Sequence, residues 1–307
     1  MLYEFKGRYS SRRNSKSWKR LLDTDLGSPF LQDCDTLKCV LKERILDPFM
    51  ALSGGASENN SYPGPGAAYS SILFGPPGTA KTSICEAVAE YLGWNFLVID
   101  TSAFLADGLN NVASRIPYIF ERLQSLEKCV ILFDEIEEFC LDRETPGLAM
   151  ESRMLTTAML TAINDLRRTR KSIFFLATNR LRSFDSAIIR PGRFDMQLFV
   201  GTPNLASRSL QFEQELSRLG VNVDDAKRSS ILFQKFLQSV WGKDVMFFNY
   251  LEGLQFASSC ANIVDKQGVD FLTNETMNSI IESRASVMTI RGLVRDEYIA
   301  SMELSRW

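Results

Sequence analysis

The stretch Ser70-Ser-Ile-Leu-Phe-Gly-Pro-Pro-Gly-Thr-Ala-Lys-Thr82 decides the fold, because in it an apolar strand runs directly into a glycine-rich turn. A helical pattern follows over about 81–92. In a unit of this kind, the backbone N–H groups of the turn converge on phosphate oxygens, and the helix N-terminus adds its positive end. We therefore predict a phosphate-binding loop with these members: Gly75, Pro76, Pro77, Gly78, Thr79, Ala80, Lys81 and Thr82.

Two side chains of this loop are expected to carry specific roles. Lys81 would reach the β- and γ-phosphates of a nucleotide, and the Thr82 hydroxyl would ligate Mg²⁺. The strict pattern G-x-x-x-x-G-K-[ST] is not met, because Ala80 stands where the second glycine belongs. The loop needs a close approach of its backbone to phosphate, and the small alanine side chain still permits this.

Strands and helices alternate outward from the loop. Apolar runs suited to buried parallel strands lie at 70–74, 96–100, 129–133, 172–177 and 197–200. Helical patterns separate them at about 81–92, 113–125, 150–166 and 185–190. The sequence thus predicts an α/β fold with a doubly wound, parallel, five-stranded sheet.

The remaining chain divides into three further segments. Residues 1–20 carry seven basic residues and one acid, so we assign 1–28 to a basic N-terminal arm, which could also be a transit peptide or a solvated tail. An amphipathic helix is predicted from Thr36 to Pro48, followed by a surface loop over 53–69. The α/β core is placed at 29–203, and helical spacing of apolar residues makes 204–307 a small all-α domain.

Composition excludes several classes of protein. The chain has 307 residues, no histidine, and 35 Lys and Arg against 37 Asp and Glu. Catalytic triads with histidine and H-E-x-x-H zinc sites are therefore impossible within it.

The balanced charge argues against a general nucleic-acid coat, although a local patch stays possible. The six cysteines form no C-x-x-C pair and are predicted to be buried thiols, and the longest apolar runs are too short to cross a bilayer.

Two carboxylates follow the third strand of this set. Asp134 and Glu135 end the apolar run 129–133, which puts them at the same sheet edge as the phosphate-binding loop. Asp134 would hold Mg²⁺, directly or through water, and Glu135 would act as general base on the attacking water. The alternative is a strand followed by a solvated acidic helix start, since Glu137 and Glu138 come next.

Three more polar residues follow the fourth strand. Asn179 could orient the lytic water or sense a γ-phosphate, although asparagine after a strand is also a common turn former. Arg190 and Arg193 flank a Pro-Gly turn and would be presented outward, which suits the site of a neighbouring subunit better than their own. An arginine donated in this way can neutralise transition-state charge and make hydrolysis depend on assembly.

These motifs, in this order, resemble a known family. Residues 75–82, 131–135, 177–180 and 184–195 are similar to Walker A, Walker B, sensor 1 and the second region of homology of the AAA ATPases, in the classical clade. The resemblance implies ATP hydrolysis in a ring, usually a hexamer, with ATP and Mg²⁺ as cofactors. It also implies a helical lid after Pro203. By this resemblance, the residues that act within one subunit are Lys81, Thr82, Asp134, Glu135 and Asn179. The residues that the adjacent subunit would contribute are Arg190 and Arg193.

The chain departs from the family pattern in further places. The loop that faces the central pore should hold an aromatic residue, but the alignment gives Gly108-Leu109-Asn110. Arg295, in Gly292-Leu-Val-Arg, is either a sensor 2 residue touching the γ-phosphate or an arginine on a helix surface. The glycine expected near the adenine pocket is replaced around Asp33-Cys34-Asp35, so the adenine contacts stay unassigned.

The sequence leaves competing functions. The first is a Mg²⁺-dependent ATPase that remodels a protein or protein complex, and the second is a nucleotide-regulated assembly or scaffold factor. A nucleic-acid remodeler has only the basic arm in its favour. The expected partners are further copies of the chain or related ATPases in a ring, together with an unidentified protein substrate. Reduced thiols suit the cytoplasm, with plastid stroma or another organelle matrix as the alternative.

Overall fold

The computed structural model describes residues 6–8, 16–26, 35–53, 63, 66–190, 192–240, 248–284 and 304. Six strands form one sheet in the order β1-β3-β4-β5-β2-β6. Their bounds are β1 Lys6–Arg8, β2 Ser70–Phe74, β3 Asn95–Asp100, β4 Cys129–Asp134, β5 Ile173–Thr178 and β6 Met196–Phe199. Strands β2 to β6 pair in parallel, as the sequence predicts, and β1 adds an unpredicted antiparallel edge.

Twelve α-helices are described. They are α1 Lys16–Arg20, α2 Leu37–Leu41, α3 Asp47–Ser53, α4 Lys81–Leu92, α5 Thr101–Leu105, α6 Val112–Gln124, α7 Met150–Thr169, α8 Ser186–Ile189, α9 Leu205–Arg218, α10 Val223–Val240, α11 Tyr250–Gln267 and α12 Asn274–Arg284. Every residue of β2 and β5 is buried, which is why their sequences read as continuous apolar runs. The predicted α/β fold class is confirmed.

The helix predicted to end at Pro48 continues instead to Ser53. A π-helical turn, Lys42–Leu46, joins α2 to α3, so the chain stays helical through the proline. Pro48 has no N–H to give to the carbonyl of Arg44, four residues earlier. That carbonyl accepts a hydrogen bond from Ala68 N at 2.8 Å, which satisfies the group that the proline leaves open. The loop predicted over 53–69 lies largely outside the described residues.

The chain divides into two compact units. The first consists of residues 1–21, 38–200 and 304–307, and the second of residues 22–37 and 201–303. The second is helical, with a core rich in phenylalanine: Phe212, Phe233, Phe236, Phe248 and Phe256. The functional division into arm, core and lid at residues 28 and 203 stays a prediction.

Two smaller expectations can be compared with the structure. Four of the cysteines, Cys85, Cys129, Cys140 and Cys260, are buried free thiols. Cys39 is exposed, against the prediction, because it lies on the solvent side of α2, where its Sγ is 3.5 Å from Glu43 Oε1. In the part of the chain that is described, no helix combines the length and the apolar character needed to cross a bilayer.

Candidate functional site

Three neighbouring strands bring the candidate residues to one edge of the sheet. Strand β5 lies between β4 and β2, and all three run in parallel. Phe74, at the end of β2, is paired with Thr178, and Asp134, at the end of β4, is paired with Ala177. The segments that follow these strands therefore meet at a single carboxyl edge, where ligands bind in open α/β sheets.

The loop after β2 has a backbone that most residues would not adopt. Gly75 has φ +149°, and a Cβ there would lie 2.3 Å from the carbonyl oxygen of Val200. Gly78 has φ 77°. Ala80 is left-handed as well, with φ 63° and ψ 27°, at the position of the missing second glycine. Because left-handed backbone costs a non-glycine residue roughly 1–2 kcal/mol, Ala80 is tolerated at this position with strain.

The Lys81 ammonium group lies at the centre of the loop. Its Nζ donates to the carbonyl oxygens of Gly75 and Pro76, each at 2.9 Å, and to Asn179 Oδ1 at 2.8 Å. The residue is only 9% exposed. Burial lowers the pKa of Lys81 to about 8, although the Asp134 carboxylate acts in the opposite direction. This amine joins the loop after β2 to the polar residue after β5.

The Thr82 hydroxyl and the Asp134 carboxylate are in contact. Thr82 Oγ1 donates to Asp134 Oδ2 at 3.3 Å. Burial raises the pKa of Asp134, the hydrogen bond from Thr82 lowers it, and the adjacent Glu135 carboxylate raises it again. A hydroxyl and a carboxylate oxygen side by side, near phosphate-binding N–H groups, are ligands that suit Mg²⁺.

Glu135 follows in a left-handed backbone conformation. Its φ is 55°, its side chain is exposed, and its carbonyl oxygen accepts a hydrogen bond from the Thr101 hydroxyl. The backbone therefore turns sharply away from β4 at this residue. Strain at a candidate general base is compatible with a functional demand, since such conformations recur at active sites.

From the sequence, Glu137 is expected only as part of a solvated acidic helix start. Its Oε1 accepts from Thr178 Oγ1 at 2.6 Å and from the Asn179 N–H at 3.3 Å. It thereby holds the start of the segment that presents Asn179 to Lys81. The sequence gives one signal for this role, a third acid within four residues of the strand end.

Arg190 and Arg193 lie on a different turn from the loop. Arg190 is exposed, Arg193 is half-buried, and the Arg193 N–H donates to the Arg190 carbonyl at 3.3 Å. None of the contacts described for these two arginines reaches the phosphate-binding loop. Arg295, Asp33 and Cys34 lie outside the described residues.

Two aspartates not assigned from sequence anchor the segment that carries these arginines. Asp185 accepts from Arg143 Nε at 2.6 Å and caps α8 through the Ala187 N–H at 2.8 Å. Asp195 accepts from Arg167 Nη2 at 2.5 Å. Burial alone would raise the pKa of each aspartate, but the hydrogen bonds from the arginines and from backbone N–H groups outweigh it and hold both values below the ordinary range.

The residues present fit a magnesium nucleotide. No side chain caps the N-terminus of α4, so the N–H groups of its first turn are free to serve an anion. The Lys81 amine lies beside them, and Thr82 with Asp134 supplies metal ligands. The chemistry of this donor set is that of triphosphate binding with Mg²⁺.

Comparison with known proteins points to one family. The model described as ATPase family associated with various cellular activities (AAA) matches residues 71–202. The ATP-dependent zinc metalloprotease FtsH 1 of Alkaliphilus metalliredigens is 38% identical over 139 residues, which cover 45% of this chain and 24% of that protein. The nuclear valosin-containing protein-like of Mus musculus is 38% identical over 141 residues, covering 45% of this chain and 16% of that protein.

Solved structures agree on the fold. The crystal structure of the FIGL-1 AAA domain superposes with a TM-score of 0.56 and 19% identity over 95% of each chain. This chain spans a quarter or less of the two curated relatives named above. Residues 71–202 match the AAA family model and form an AAA ATPase domain similar to those of the two relatives named above.

Proposed function

We propose that the chain is a Mg²⁺-dependent ATP hydrolase that works in an oligomeric ring and couples ATP turnover to the remodelling of a protein or protein complex. One observation carries the proposal: Lys81 Nζ contacts Asn179 Oδ1 while Thr82 Oγ1 contacts Asp134 Oδ2. Phosphate-binding, metal-binding and water-orienting groups are thus within reach of one another. No histidine is needed for this chemistry.

Each residue of the subunit's own site has a distinct task. The loop backbone and Lys81 hold the β- and γ-phosphates, while Thr82 and Asp134 hold Mg²⁺, which neutralises phosphate charge when bound. Glu135 accepts the proton of the water that attacks the γ-phosphorus, and Asn179 orients that water. Glu137 acts as a positioning residue, because it holds the Asn179 N–H and the Thr178 hydroxyl.

The general base is tested by steady-state ATPase measurements. Glu135→Gln should lower kcat by about 10²- to 10⁴-fold, the range expected for a lost general base, while ATP still binds. Glu138→Gln is the matched control, because it makes the same chemical change at an exposed glutamate three residues away. Equal loss in both variants, or negligible turnover by the unmodified chain despite tight ATP binding, would contradict the hydrolase.

We assign Arg190 and Arg193 to the site of the adjacent subunit. The turn that carries them is separate from their own loop and exposes Arg190, which supports the assignment. Arg193→Ala should abolish turnover in an assembled ring, whereas Arg182→Ala, at an exposed arginine nearby in the sequence, should not.

Mixing two inactive variants gives the sharper test of donation between subunits. Rings mixed from Glu135→Gln and Arg193→Ala subunits should regain activity, since some sites then combine an intact glutamate with a neighbour's intact arginine. If Arg193 served its own subunit, mixing would restore nothing.

A second candidate function is a nucleotide-regulated assembly or scaffold factor. Leu109 is 78% exposed beside Gly108, on the segment expected to face the pore, and no aromatic residue stands there to grip an extended polypeptide. Sedimentation of the Glu135→Gln variant with ATP or ADP separates the two functions when compared with turnover. Assembly that follows ATP binding, with hydrolysis too slow to cycle the ring, would favour the scaffold.

The buried thiols favour a reducing compartment. Cys85, Cys129, Cys140 and Cys260 are free and buried. Such thiols suit the cytoplasm or plastid stroma.

A further inference from the structure

The edge of the sheet opposite the nucleotide site carries a basic strip, which we define as Lys128, Arg168, Arg170 and Lys171. All four side chains are exposed. Lys128 directly precedes β4, and Arg170 and Lys171 lie just before β5. Because β4 and β5 are adjacent parallel strands, their amino ends meet at one edge.

The backbone fixes how these cations are spaced. The Lys128 N–H donates to the Lys171 carbonyl at 3.2 Å, so the two lysines leave the sheet from neighbouring strands. Strand β1 runs antiparallel to β3 and pairs Arg8 with Phe96, near the amino end of β3. The backbone of β1 therefore reaches the same edge of the sheet as the strip.

Two members of the strip occupy a backbone conformation that disfavours their residue type. Lys128 and Arg170 both have φ 51°, in the left-handed region where glycine or asparagine is preferred. A non-glycine residue at such a position strains the backbone, although Arg170 also ends α7 there. Strain of this kind supports a hypothesis of function.

The nearby acids do not cancel the strip. Glu127 pairs with Lys171 at 3.1 Å and Asp165 with Arg168 at 3.7 Å, both pairs being largely exposed. Asp195 is held by Arg167. No acidic partner is described for Lys128 or Arg170, so the edge keeps a positive charge surplus.

A polar pocket of about 600 Å³ opens beside the strip, lined in part by Arg167, Arg168, Arg170 and Tyr69. The Arg170 guanidinium lies 5.9 Å from the centre of the Tyr69 ring. Asp195 also lines this pocket and already holds Arg167, so Arg168 and Arg170 are the arginines that can offer a guanidinium to phosphate oxygens here. Tyr69 is only 8% exposed, so it offers no platform on which an unpaired base could stack.

We propose that the basic strip binds the phosphate backbone of double-stranded nucleic acid without regard to base sequence. Exposed cations whose backbone is held at adjacent strand ends suit a regular row of phosphates, which a duplex presents more densely than a single strand. An acidic polypeptide has no such fixed spacing. The lack of a stacking surface in the described strip argues against single strands. The proposal does not depend on ATP hydrolysis, because the strip and the nucleotide site lie at opposite sheet edges.

The test is fluorescence anisotropy with a labelled 25-base-pair duplex over a salt series, using the whole chain. The double variant Lys128→Gly with Arg170→Gly removes two charges and relieves both left-handed residues. Two lost phosphate contacts should weaken binding roughly 50-fold at 0.1 M salt and reduce the slope of log K against log salt by about 2. Its Tm should equal or exceed that of the unmodified chain, because glycine suits positive φ.

Matched variants separate charge from structure. Lys227→Ala with Lys235→Ala removes two exposed lysines from α10 and should leave binding unchanged. Lys128→Arg with Arg170→Lys keeps both charges and should bind within about twofold of the unmodified chain, since the salt slope depends on charge number. Duplexes of different sequence should bind alike.

Several results would overturn the proposal. These are no duplex binding at low salt, a salt slope that the glycine variant leaves unchanged, and equal or tighter binding of a single strand of the same length. Binding of poly-glutamate with the same dependence on Lys128 and Arg170, at the affinity of the duplex, would assign the strip to acidic polypeptides instead.

Discussion

The two edges of the parallel sheet carry opposite charge. The carboxyl edge holds Asp134, Glu135 and Glu137, whereas the amino edge holds the basic strip. Among the described residues, four that are not glycine have positive φ, and the edges share them equally: Ala80 and Glu135 at the first, Lys128 and Arg170 at the second. Apolar runs determine where the parallel strands form. The strained residues lie in the turns at both ends of these strands, and strand formation does not require them.

Each edge also holds an aspartate clamped by an arginine. Asp185, which follows β5 through a short turn, pairs with Arg143, and its side chain is 3% exposed. Asp195 accepts from the N–H groups of Tyr69 and Ser70, at the amino end of β2. The Asp195 side chain is more exposed, at 19%. The two pairs allow the edges to be compared by the same substitution.

The largest expected effect comes from removing these carboxylates. Asp185→Ala should lower the free energy of unfolding by about 3 kcal/mol, because it removes the cap of α8 and the buried carboxylate that accepts hydrogen bonds from Arg143. Asp195→Ala should cost about 2 kcal/mol, since the Asp195 carboxylate is more exposed than that of Asp185. Urea unfolding measures both, with Asp165→Ala in an exposed pair as control, expected to cost less than about 1 kcal/mol. A larger loss for Asp195→Ala would reverse the comparison.

Acid should weaken both edges in the same pH window. The folded-state pKa values of Asp185 and Asp195 lie below the ordinary 3.8, so each stabilises the fold fully above about pH 4 and loses that contribution as pH falls below it. The stability difference between the unmodified chain and Asp185→Asn or Asp195→Asn should therefore shrink from pH 5 towards pH 3. A difference that grows on acidification would show that neither pKa is lowered.

Relief of backbone strain at the carboxyl edge should have a smaller effect. Ala80→Gly should raise the free energy of unfolding by about 1 kcal/mol, because glycine adopts φ 63° without the steric cost that alanine bears. Thermal unfolding measures the change, and Ala89→Gly, in the interior of α4, is the control that should destabilise. Destabilisation by Ala80→Gly would mean that this turn is not strained.

The smallest effect is expected for an exposed ion pair of the amino edge. Glu127→Gln removes the partner of Lys171, and the two side chains are 68% and 47% exposed. The free energy of unfolding should change by less than about 0.5 kcal/mol, because water already screens the pair. A loss above 1 kcal/mol would show that the acids of this edge are structural.

Local pattern predicted most of the α/β core. Strand β4 was predicted from its apolar run to within one residue, and α4 from its first residue to its last. Strand β1 was missed, because Lys6-Gly-Arg8 has no apolar run and forms only by pairing with β3. The helix through Pro48 was missed because the carbonyl of Arg44, which the proline leaves open, is satisfied by the N–H of Ala68, far along the chain.

For the candidate site, the sequence predicts which residues share an edge of the sheet but not the contacts among them, and their roles stay predictions. The positions of Lys81, Asp134 and Asn179 after predicted parallel strands predicted that all three lie at the carboxyl edge of the sheet. The role of Glu137 in holding Asn179 depends on side-chain geometry that no periodicity encodes. The left-handed conformations of Lys128 and Arg170 could not be predicted from the sequence either, because lysine and arginine are not typical of such turns.

The central claim is that nucleotide binds at the carboxyl edge, around Lys81. Calorimetric titration of ATP with Mg²⁺ tests it on Lys81→Met, which keeps the length of the side chain and removes its charge. Lys128→Met makes the same change at the amino edge and is the control. The Tm of each variant is compared with that of the unmodified chain. We expect Lys81→Met to weaken ATP binding at least about 100-fold, the loss of a charge-assisted hydrogen bond in a buried site, and Lys128→Met to bind as the unmodified chain does. ATP binding unchanged in a folded Lys81→Met protein, or lost in Lys128→Met, would contradict the account.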